Sequence, residues 1–346
     1  MGIVTHLVLT EPGLHVGKHS ARLRVTRIKT GERVLDAPLV HLQSVLIASR
    51  GVSISSNAIH ECVERGIPIY FVRGPGQPYG TLYSAHLVGT VETRRAQLRA
   101  YDDARGRTLA LAFARGKIQN QQALLRYAAR YRKEQAPQVY EEVLAAATAM
   151  RDALAELDAL THKPTPTVDD LRGPLLAVEG RAAQHYWQGF GRLLPAEPPW
   201  PGRLGRGAQD PINRALNYGY GILYGVVERA ALLAGLDPYA GYLHTDRPGK
   251  PSLVLDLVEE FRAPVVDRTI LAYVNKGRPL TTAADGLFPA GVRQALAEAV
   301  FAQLDRRHPY RGQSLRLESI VQRQARAVAA FVRNPTVGYE PFAFRW

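Results

Sequence analysis

Residues 3–87 carry short runs of apolar and β-forming residues, separated by glycine, proline and serine. Runs of this length and composition are typical of β-strands. Five strands are predicted, at Ile3–Thr10, Ala21–Lys29, Val40–Ala48, Ile67–Val72 and Thr81–Leu87. One helix is predicted between Ser55 and Arg65, and Gly66 is suited to end it. We therefore expect a small, mostly β N-terminal domain over residues 1–88.

From about Val91 the apolar residues recur at spacings of three and four with arginine between them, which is the pattern of amphipathic helices. Long helices are predicted at Val91–Arg105, Thr108–Glu134 and Pro137–Thr161. Asp210 and Pro211 suit the start of another helix, which reaches Ala234. Residues 89–346 are predicted to form a larger, all-α domain, which makes the fold α+β.

The last predicted helix, about Leu315–Arg333, separates its residues into two arcs at 100° per residue. One arc is apolar and is expected to pack against the protein. The other arc carries four arginines, Arg316, Arg323, Arg326 and Arg333. A face exposed only to solvent more often mixes charges of both signs, so we interpret these arginines as phosphate contacts, with a solvated face as the alternative.

The composition is strongly basic, with a formal net charge of +13 and an isoelectric point near 9.9. Of the 44 basic residues 37 are arginine, whose planar guanidinium suits phosphate groups. A polyanionic partner is expected, with nucleic acid ahead of an anionic membrane surface. An arginine-rich proteome would raise the same count without a functional reason.

Cys62 is the only cysteine, which excludes a disulfide framework and a zinc site built on several thiolates. The first six residues lack the design of a signal peptide, and no apolar run is long enough to span a bilayer. We expect a cytoplasmic protein that does not cross a membrane.

Three acidic residues mark a predicted apolar helix that Pro264 is expected to end. Asp256, Glu259 and Glu260 stand at positions i, i+3 and i+4, so we expect them to share one face. Buried carboxylates need a positive partner, and a divalent cation is a strong candidate. The alternative is pairing with neighbouring arginines. Those arginines are Arg247, Arg262 and Arg268.

Two further residues, from separate segments, have the chemistry to complete a metal site. Glu179 interrupts the apolar face of a helix. Thr167 and Asp170 resemble a capping box, and Pro174 then either starts the helix of Glu179 or kinks it. His244 precedes the acidic helix. With Glu259 these residues supply one imidazole and two carboxylates, a set that suits Mn²⁺ or Mg²⁺ and the chemistry of phosphodiesters.

The same residues have plainer interpretations, which the sequence leaves open. Asp256 is either a fourth ligand or a carboxylate that orients His244. Glu179 is alternatively one half of a buried ion pair with Arg181 or Arg214, and His244 is alternatively a core histidine.

Substrate contacts are predicted for three more residues. Arg247 and Lys250 lie between His244 and the acidic helix, where they are placed to hold a phosphate of DNA. Tyr186, two turns after Glu179, is expected near the same helical face and is a candidate DNA contact. The alternative for Tyr186 is a packed ring with a satisfied hydroxyl.

The order of these motifs resembles one known family. The resemblance rests on Val178–Tyr186, on Asp210–Asn213 leading to Tyr218–Tyr220, on Leu243–His244, on Ser252–Arg262 and on Tyr339–Phe342. These segments are similar to the universal CRISPR-associated integrase, the first Cas protein, a metal-dependent DNA endonuclease and integrase that captures new spacers. Together they cover most of the chain, and their order is more specific than any one of them.

The resemblance implies a fold, a site, a reaction and partners. The implied fold is a small β domain for dimerisation and a larger helical catalytic domain. The implied ligands of Mg²⁺ or Mn²⁺ are Glu179, His244 and Glu259, with Asp256 as a further functional acid. The implied reaction is attack by a DNA 3′-hydroxyl on a backbone phosphate of the CRISPR array. The implied partners are double-stranded and branched DNA, a second copy of the chain, and a small ferredoxin-fold second Cas protein.

Three functions remain to be distinguished at this point. An integrase joins a DNA fragment to its target in a metal-dependent reaction. A repair nuclease for branched DNA would use the same residues to cut junctions without joining a fragment. A non-catalytic DNA scaffold would pair its acids with arginines and would be insensitive to a chelator.

Overall fold

The computed structural model describes residues 4–73, 76–82, 84, 91–162, 167–196, 199–205, 207–283 and 286–345. The strands are β1 (His6–Leu9), β2 (Leu14–His19), β3 (Arg22–Arg27), β4 (Arg33–Pro38), β5 (Ser44–Ile47), β6 (Ser53–Ile54), β7 (Ile69–Val72), β8 (Pro78–Leu82), β9 (Arg307–Tyr310) and β10 (Gln313–Arg316). The helices are α1 (Ser56–Glu64), α2 (Val91–Ala100), α3 (Ala104–Ala129), α4 (Pro137–His162), α5 (Val168–Leu193), α6 (Pro211–Leu233), α7 (Ser252–Phe261), α8 (Arg268–Asn275), α9 (Ala290–Leu304) and α10 (Leu317–Arg333). A strand-rich beginning and a mostly helical remainder confirm the predicted α+β class.

The chain divides into two compact units, and each unit is built from several segments. The first unit comprises Met1–Leu87, Arg206–Gly225 and Pro279–Ala302, and the second comprises Val88–Gly205, Val226–Arg278 and Gln303–Trp346. This division differs from the two consecutive domains of the sequence analysis, because two later segments belong to the strand-rich unit. The predicted boundary between residues 88 and 89 lies outside the described residues, as does the end of the strand predicted at Thr81–Leu87.

Two four-stranded sheets form the strand-rich part of the first unit. β1, β5 and β7 are parallel neighbours, and β8 pairs antiparallel with β7. β4, β3 and β2 are antiparallel neighbours, and β6 pairs parallel with β2. Leu7 and Ile69 of the first sheet share a single core with Val16 and Leu23 of the second and with Cys62 of α1. Burial of these apolar side chains is the main stabilising contribution to the unit.

The later segments of this unit approach its N-terminal part closely. Gly76 has a φ of +91°, and a Cβ on it would lie 2.2 Å from the Cα of Tyr218 in α6. A Cβ on Gly221 would lie 1.5 Å from the carbonyl oxygen of Gly76. Arg293 of α9 donates a hydrogen bond of 3.0 Å to the carbonyl oxygen of Ala48. Glycine is therefore required where α6 meets the chain near residue 76.

The second unit is a helical assembly in which α3, α4 and α5 pack together, α7 packs on α3, and α10 packs on α2. Thr167 and Asp170 form the predicted capping box at the start of α5. A π-helical turn, Arg262–Asp267, joins α7 directly to α8. The prediction that Pro264 ends regular structure is therefore wrong, because this wider turn accommodates a residue that cannot donate a backbone hydrogen bond.

The helical unit also contains one hairpin, so the prediction of an all-α domain is incomplete. β9 and β10 pair antiparallel, and the turn between them places Arg311 and Gly312 at positive φ, 47° and 77°. The final helix begins at Leu317, two residues later than predicted, because Leu315 and Arg316 belong to β10.

Candidate active site

The three acidic residues of α7 face three different neighbours, so the prediction of one shared acidic face is wrong. Asp256 faces the 242–244 segment, Glu259 faces Lys117 of α3, and Glu260 faces Tyr339 in the C-terminal segment. All three side chains are buried. Because α7 is enclosed by other elements, small differences in direction around its axis bring each carboxylate to a different partner.

Glu259 and Glu179 share one cation, the ammonium of Lys117. Oε2 of Glu259 lies 3.1 Å from Nζ of Lys117, which also hydrogen-bonds to Oε1 of Glu179. Nη1 of Arg262 lies 2.9 Å from Oε1 of Glu259. Glu179 is 7% exposed and Glu259 is 1% exposed, so α3, α5 and α7 bring these charges together out of contact with bulk water.

The charges around Glu259 determine its protonation. Burial by itself would raise the pKa of Glu259, but Arg262, Lys117 and His244 together lower it below its usual range. Burial would likewise lower the pKa of Lys117, and the carboxylates of Glu259 and Glu179 outweigh that effect and raise it. Glu259 is therefore ionised at neutral pH.

His244 is held by Asp256, which is fully buried. The carboxylate of Asp256 accepts backbone hydrogen bonds from Tyr242 at 2.6 Å, Leu243 at 3.0 Å and His244 at 2.9 Å. It also lies 2.8 Å from Nδ1 of His244. Because a carboxylate can only accept, Nδ1 donates to Asp256, and in the neutral imidazole Nε2 then carries the lone pair that a metal ion could bind. Of the two roles considered for Asp256, its contacts match the carboxylate that orients His244.

The segment before His244 is fixed from its other side as well. Arg172 of α5 donates to the carbonyl oxygens of Leu243 at 3.2 Å and of Tyr242 at 3.3 Å. Gln97 of α2 donates to the carbonyl oxygen of Ala240 at 2.7 Å. An irregular segment therefore presents the imidazole from a position that two helices hold in place.

The donor set fits a hard divalent cation. Glu179 and Glu259 already converge on one positive charge, the Lys117 ammonium, and the imidazole of His244 is close enough to Glu259 for an electrostatic interaction. Carboxylate oxygens and one imidazole nitrogen suit Mg²⁺ or Mn²⁺. Within the described part of the chain, no three His, Cys, Asp or Glu side chains are grouped as ligands of one ion. The metal assignment to Glu179, His244 and Glu259 stays a prediction.

The ion pairs show which cations accompany Glu179 and Glu259, a point on which the sequence left several arginines as candidates. Arg262 pairs with Glu259, as the arginine-pairing interpretation expected. Arg181 pairs with Glu156 of α4, and Glu179 pairs with Lys117, so the alternative pair between Glu179 and Arg181 is wrong.

Tyr186 is not available to DNA in this structure, so its prediction as a DNA contact is wrong. The side chain is fully buried, and its hydroxyl donates a 2.6 Å hydrogen bond to Oδ2 of Asp267. Tyr186 stands seven residues after Glu179, so it continues the buried face of α5.

The predicted basic contacts lie where a substrate can reach them. Arg247 is exposed and Lys250 is half-buried, in a turn closed by a 3.0 Å hydrogen bond from the Lys250 amide to the Arg247 carbonyl. Arg323 and Arg326 are exposed on α10. Arg316, also exposed, lies in β10 with Nη1 3.5 Å from Oδ1 of Asp305. Contact of these side chains with DNA stays a prediction.

Lys117 is the site residue that sequence reasoning missed. It stands on α3 in register with the buried residues Phe113, Asn120 and Leu124, at spacings of three and four. A lysine within such a buried stripe needs a carboxylate partner, and that was the available signal.

Glu260 lies outside the candidate site and binds the C-terminal segment. Its carboxylate accepts hydrogen bonds from Nε2 of Gln324 at 2.8 Å, from the amide of Phe342 at 2.9 Å and from the hydroxyl of Tyr339. Burial raises the pKa of Glu260 to about 7. The segment Tyr339–Phe342, part of the family resemblance, is thus anchored to the helix that carries Glu259.

No helix among the described residues has the length and apolar character needed to cross a membrane.

Comparison with known proteins identifies the family. The model of the family described as CRISPR associated protein Cas1 matches residues 7–284. The chain is 37% identical over 321 residues to the CRISPR-associated endonuclease Cas1 1 of Archaeoglobus fulgidus, with 88% of this chain and 90% of the relative covered.

Two solved structures have the same fold. A casposase bound to its integration product superposes with a TM-score of 0.80 at 21% identity, over 97% of this chain and 93% of the other. A chain of a Cas6-RT-Cas1–Cas2 complex superposes with a TM-score of 0.74 at 20% identity, over 99% of this chain and 36% of the other. The family match and the sequence identity, together with this fold, establish that the chain belongs to the CRISPR-associated Cas1 family.

Proposed function

We propose that this protein is a metal-dependent DNA endonuclease and integrase that inserts new spacer DNA into a CRISPR array. The observation that carries the proposal is the convergence of Glu179 and Glu259 on one cation position, with the imidazole that Asp256 orients in electrostatic reach of Glu259. Family membership and the fold shared with a casposase bound to its integration product support the same chemistry.

The proposed reaction is a transesterification. The 3′-oxygen of the incoming DNA forms a bond to a backbone phosphorus of the array. The bond from that phosphorus to the array's own 3′-oxygen breaks, and the leaving oxygen takes up a proton, so the number of phosphodiester bonds is unchanged. Hydrolysis of DNA follows the same course with water in place of the attacking hydroxyl.

The roles of the residues follow from their positions. Glu179, Glu259 and Nε2 of His244 would hold Mg²⁺ or Mn²⁺, and Asp256 keeps the imidazole in the required tautomer. When bound, such an ion lowers the pKa of the attacking hydroxyl and stabilises negative charge on the phosphate. Arg247 and Lys250, in the turn that follows His244, would hold a neighbouring DNA phosphate.

We extend the proposal to the partners and the location. Double-stranded and branched DNA would contact the exposed arginines Arg316, Arg323 and Arg326, mainly through phosphates. A homodimer and a small ferredoxin-fold second Cas protein would complete the adaptation complex, and a structural neighbour solved as a complex containing Cas1 and Cas2 supports this arrangement. The proposed location is the cytoplasm.

An integration assay tests the proposal. A DNA fragment with free 3′-hydroxyls and a supercoiled plasmid carrying the repeat array are incubated with the protein and Mn²⁺, with and without EDTA. E179A and H244A are expected to lower joining by at least about 10³-fold, because each removes an ion ligand. The matched control is E156A, which removes an exposed glutamate on α4. Full joining by both site variants, or joining in EDTA, would reject the metal site.

Cutting of branched DNA in repair is the second candidate, favoured by the name endonuclease that the Archaeoglobus relative carries. The two functions are separated by measuring cutting of a four-way junction alongside fragment joining, for the wild type and for the same variants. Junction cutting without any fragment joining would favour the repair nuclease. Duplex binding that persists without either reaction, and that EDTA leaves unchanged, would leave only the DNA scaffold.

A further inference from the structure

Lys117 occupies the central position of the candidate site. Its side chain is 12% exposed, and its ammonium contacts Glu179 of α5 and Glu259 of α7, so one residue of α3 joins the two other helices. Arg262 contacts Oε1 of Glu259, whereas Lys117 contacts Oε2. Lys117 is thus the cation that the two carboxylates have in common.

The charges of this cluster balance without any ion. Two carboxylates, Glu179 and Glu259, face two cations, Lys117 and Arg262. Adding a divalent cation while Lys117 stays in place would bring two further positive charges to a pair of glutamates that Lys117 and Arg262 already compensate, which is unfavourable in a buried site.

The geometry also prevents the Lys117 ammonium and a divalent ion from both binding the same two oxygen atoms, Oε1 of Glu179 and Oε2 of Glu259. Mg²⁺ binds carboxylate oxygens at about 2.0–2.1 Å. An ion placed between the two carboxylates at that distance would overlap the ammonium, which lies 3.1 Å from Oε2 of Glu259 and in contact with Oε1 of Glu179. The ammonium and the ion therefore require the same place.

We propose that Lys117 is a positioning residue that alternates with the divalent ion between Glu179 and Glu259. In the metal-free protein Lys117 holds the two carboxylates together, and on metal binding it leaves them. Lys117 therefore stabilises the metal-free fold and weakens metal affinity by competition. This inference rests on the metal site of the proposed function.

The test compares K117M with R115M. Methionine keeps most of the side-chain volume of lysine without its charge. Arg115 lies two residues away on the same helix and pairs with Asp158, so R115M removes one positive charge without touching the site. Calorimetric titration with Mn²⁺ alone is expected to show binding to K117M tighter by about tenfold or more, a size typical for changes beside metal ligands. R115M is expected to bind Mn²⁺ like the wild type.

Thermal unfolding supplies a second readout. Without metal, K117M is expected to unfold at a lower temperature than the wild type, because its two carboxylates have lost their shared cation. With saturating Mn²⁺, the rise in unfolding temperature is expected to be larger for K117M than for the wild type. A merely structural lysine would give the opposite change in affinity, because misplaced carboxylates bind an ion more weakly.

The wild-type protein provides a test that does not depend on folding of the variant. Acetylation of lysines by an activated ester, followed by mass spectrometry, is expected to modify Lys117 several times faster with Mn²⁺ present than without it. Lys133, which is exposed, serves as the internal reference.

The outcomes separate this inference from the proposed function. Equal or weaker Mn²⁺ binding by K117M, or Lys117 acetylation that Mn²⁺ leaves unchanged, would overturn the competition while leaving the metal site intact. Absence of Mn²⁺ binding by the wild type, K117M and R115M alike would reject the metal site itself, and the inference with it.

Discussion

Glu259 and Glu260 are neighbours in sequence and are both buried, yet they belong to two different regions of the helical unit. Glu259 faces Lys117 and Arg262, and these cations, with His244, bring its pKa below the usual range against the effect of burial. The donors to Glu260 among the described residues, including Tyr339, are neutral, and burial raises the pKa of Glu260 to about 7.

The comparison shows that the charge of its partners, more than its position in the sequence, determines whether a buried carboxylate stays ionised. A carboxylate matched by cations stays ionised and can exchange one cation for another. A buried carboxylate that has only neutral donors is more easily protonated, because those donors offset only part of the cost of burying its charge. Of the two residues, Glu259 lies among cations that a metal ion could replace, whereas Glu260 holds the C-terminal segment in place.

The largest expected effect is a loss of integration activity, which the same substitution, glutamate to glutamine, should cause at Glu259 but not at Glu260. E259Q is expected to lower integration by at least about 10³-fold, because the amide supplies a weaker ligand than the carboxylate. E260Q is expected to keep activity within about threefold, because the amide oxygen still accepts hydrogen bonds. The plasmid integration assay measures both, with circular dichroism as the check on folding. Equal losses in the two variants would remove the distinction.

The next effect is the pH dependence of stability that Glu260 contributes. Its pKa of about 7 in the folded protein exceeds the usual 4.5, so the folded state binds the proton more tightly than the unfolded chain. The stabilisation is complete below pH 4.5 and is lost as the pH rises through about 7, by about 3 kcal/mol in all.

Urea unfolding of the wild type and E260Q between pH 4.5 and 8 measures this contribution. The free energy of unfolding of the wild type is expected to fall relative to that of E260Q as the pH rises. Parallel pH profiles for the two proteins would show that Glu260 does not hold its proton in the folded state.

Asp256 gives a smaller expected effect, because it acts on the ion only through His244. D256N is expected to lower Mn²⁺ affinity and integration by about 10–100-fold, since an amide cannot accept all the hydrogen bonds that the carboxylate accepts. D246N, a change at an exposed position of the same segment, is the matched control. Titration calorimetry with Mn²⁺ decides the point, and an unaltered affinity would contradict the orienting role.

The smallest expected effect concerns DNA binding by the exposed arginines of α10, because solvent screens exposed charges more strongly than buried ones. R323Q combined with R326Q is expected to weaken duplex DNA binding and to reduce the slope of log K against log salt by about 0.9 per arginine. R151Q, on the exposed side of α4, is the control. Fluorescence anisotropy over a series of salt concentrations measures the slope. A slope equal to that of the wild type would place the DNA elsewhere.

Much of the fold followed from local patterns. The capping residues Ser55 and Thr167 mark the beginnings of α1 and α5 as predicted, because an N-cap depends on a few consecutive residues. The hairpin of β9 and β10 was missed, since its strands are only four residues long. The π-helical turn at Pro264 was also missed, because the packing of its neighbours outweighs the local preference of proline.

The sequence by itself determined the α+β class and the family, and it singled out Glu179, His244 and Glu259, because motif order and hydrophobic spacing are properties of the chain alone. Only the tertiary structure decided that Lys117 joins Glu179 to Glu259, that Asp256 holds His244, and that Tyr186 is buried. These are contacts between elements 12 to 142 residues apart, and a side chain's charge partner depends on how helices pack, which residue spacing within one helix does not specify.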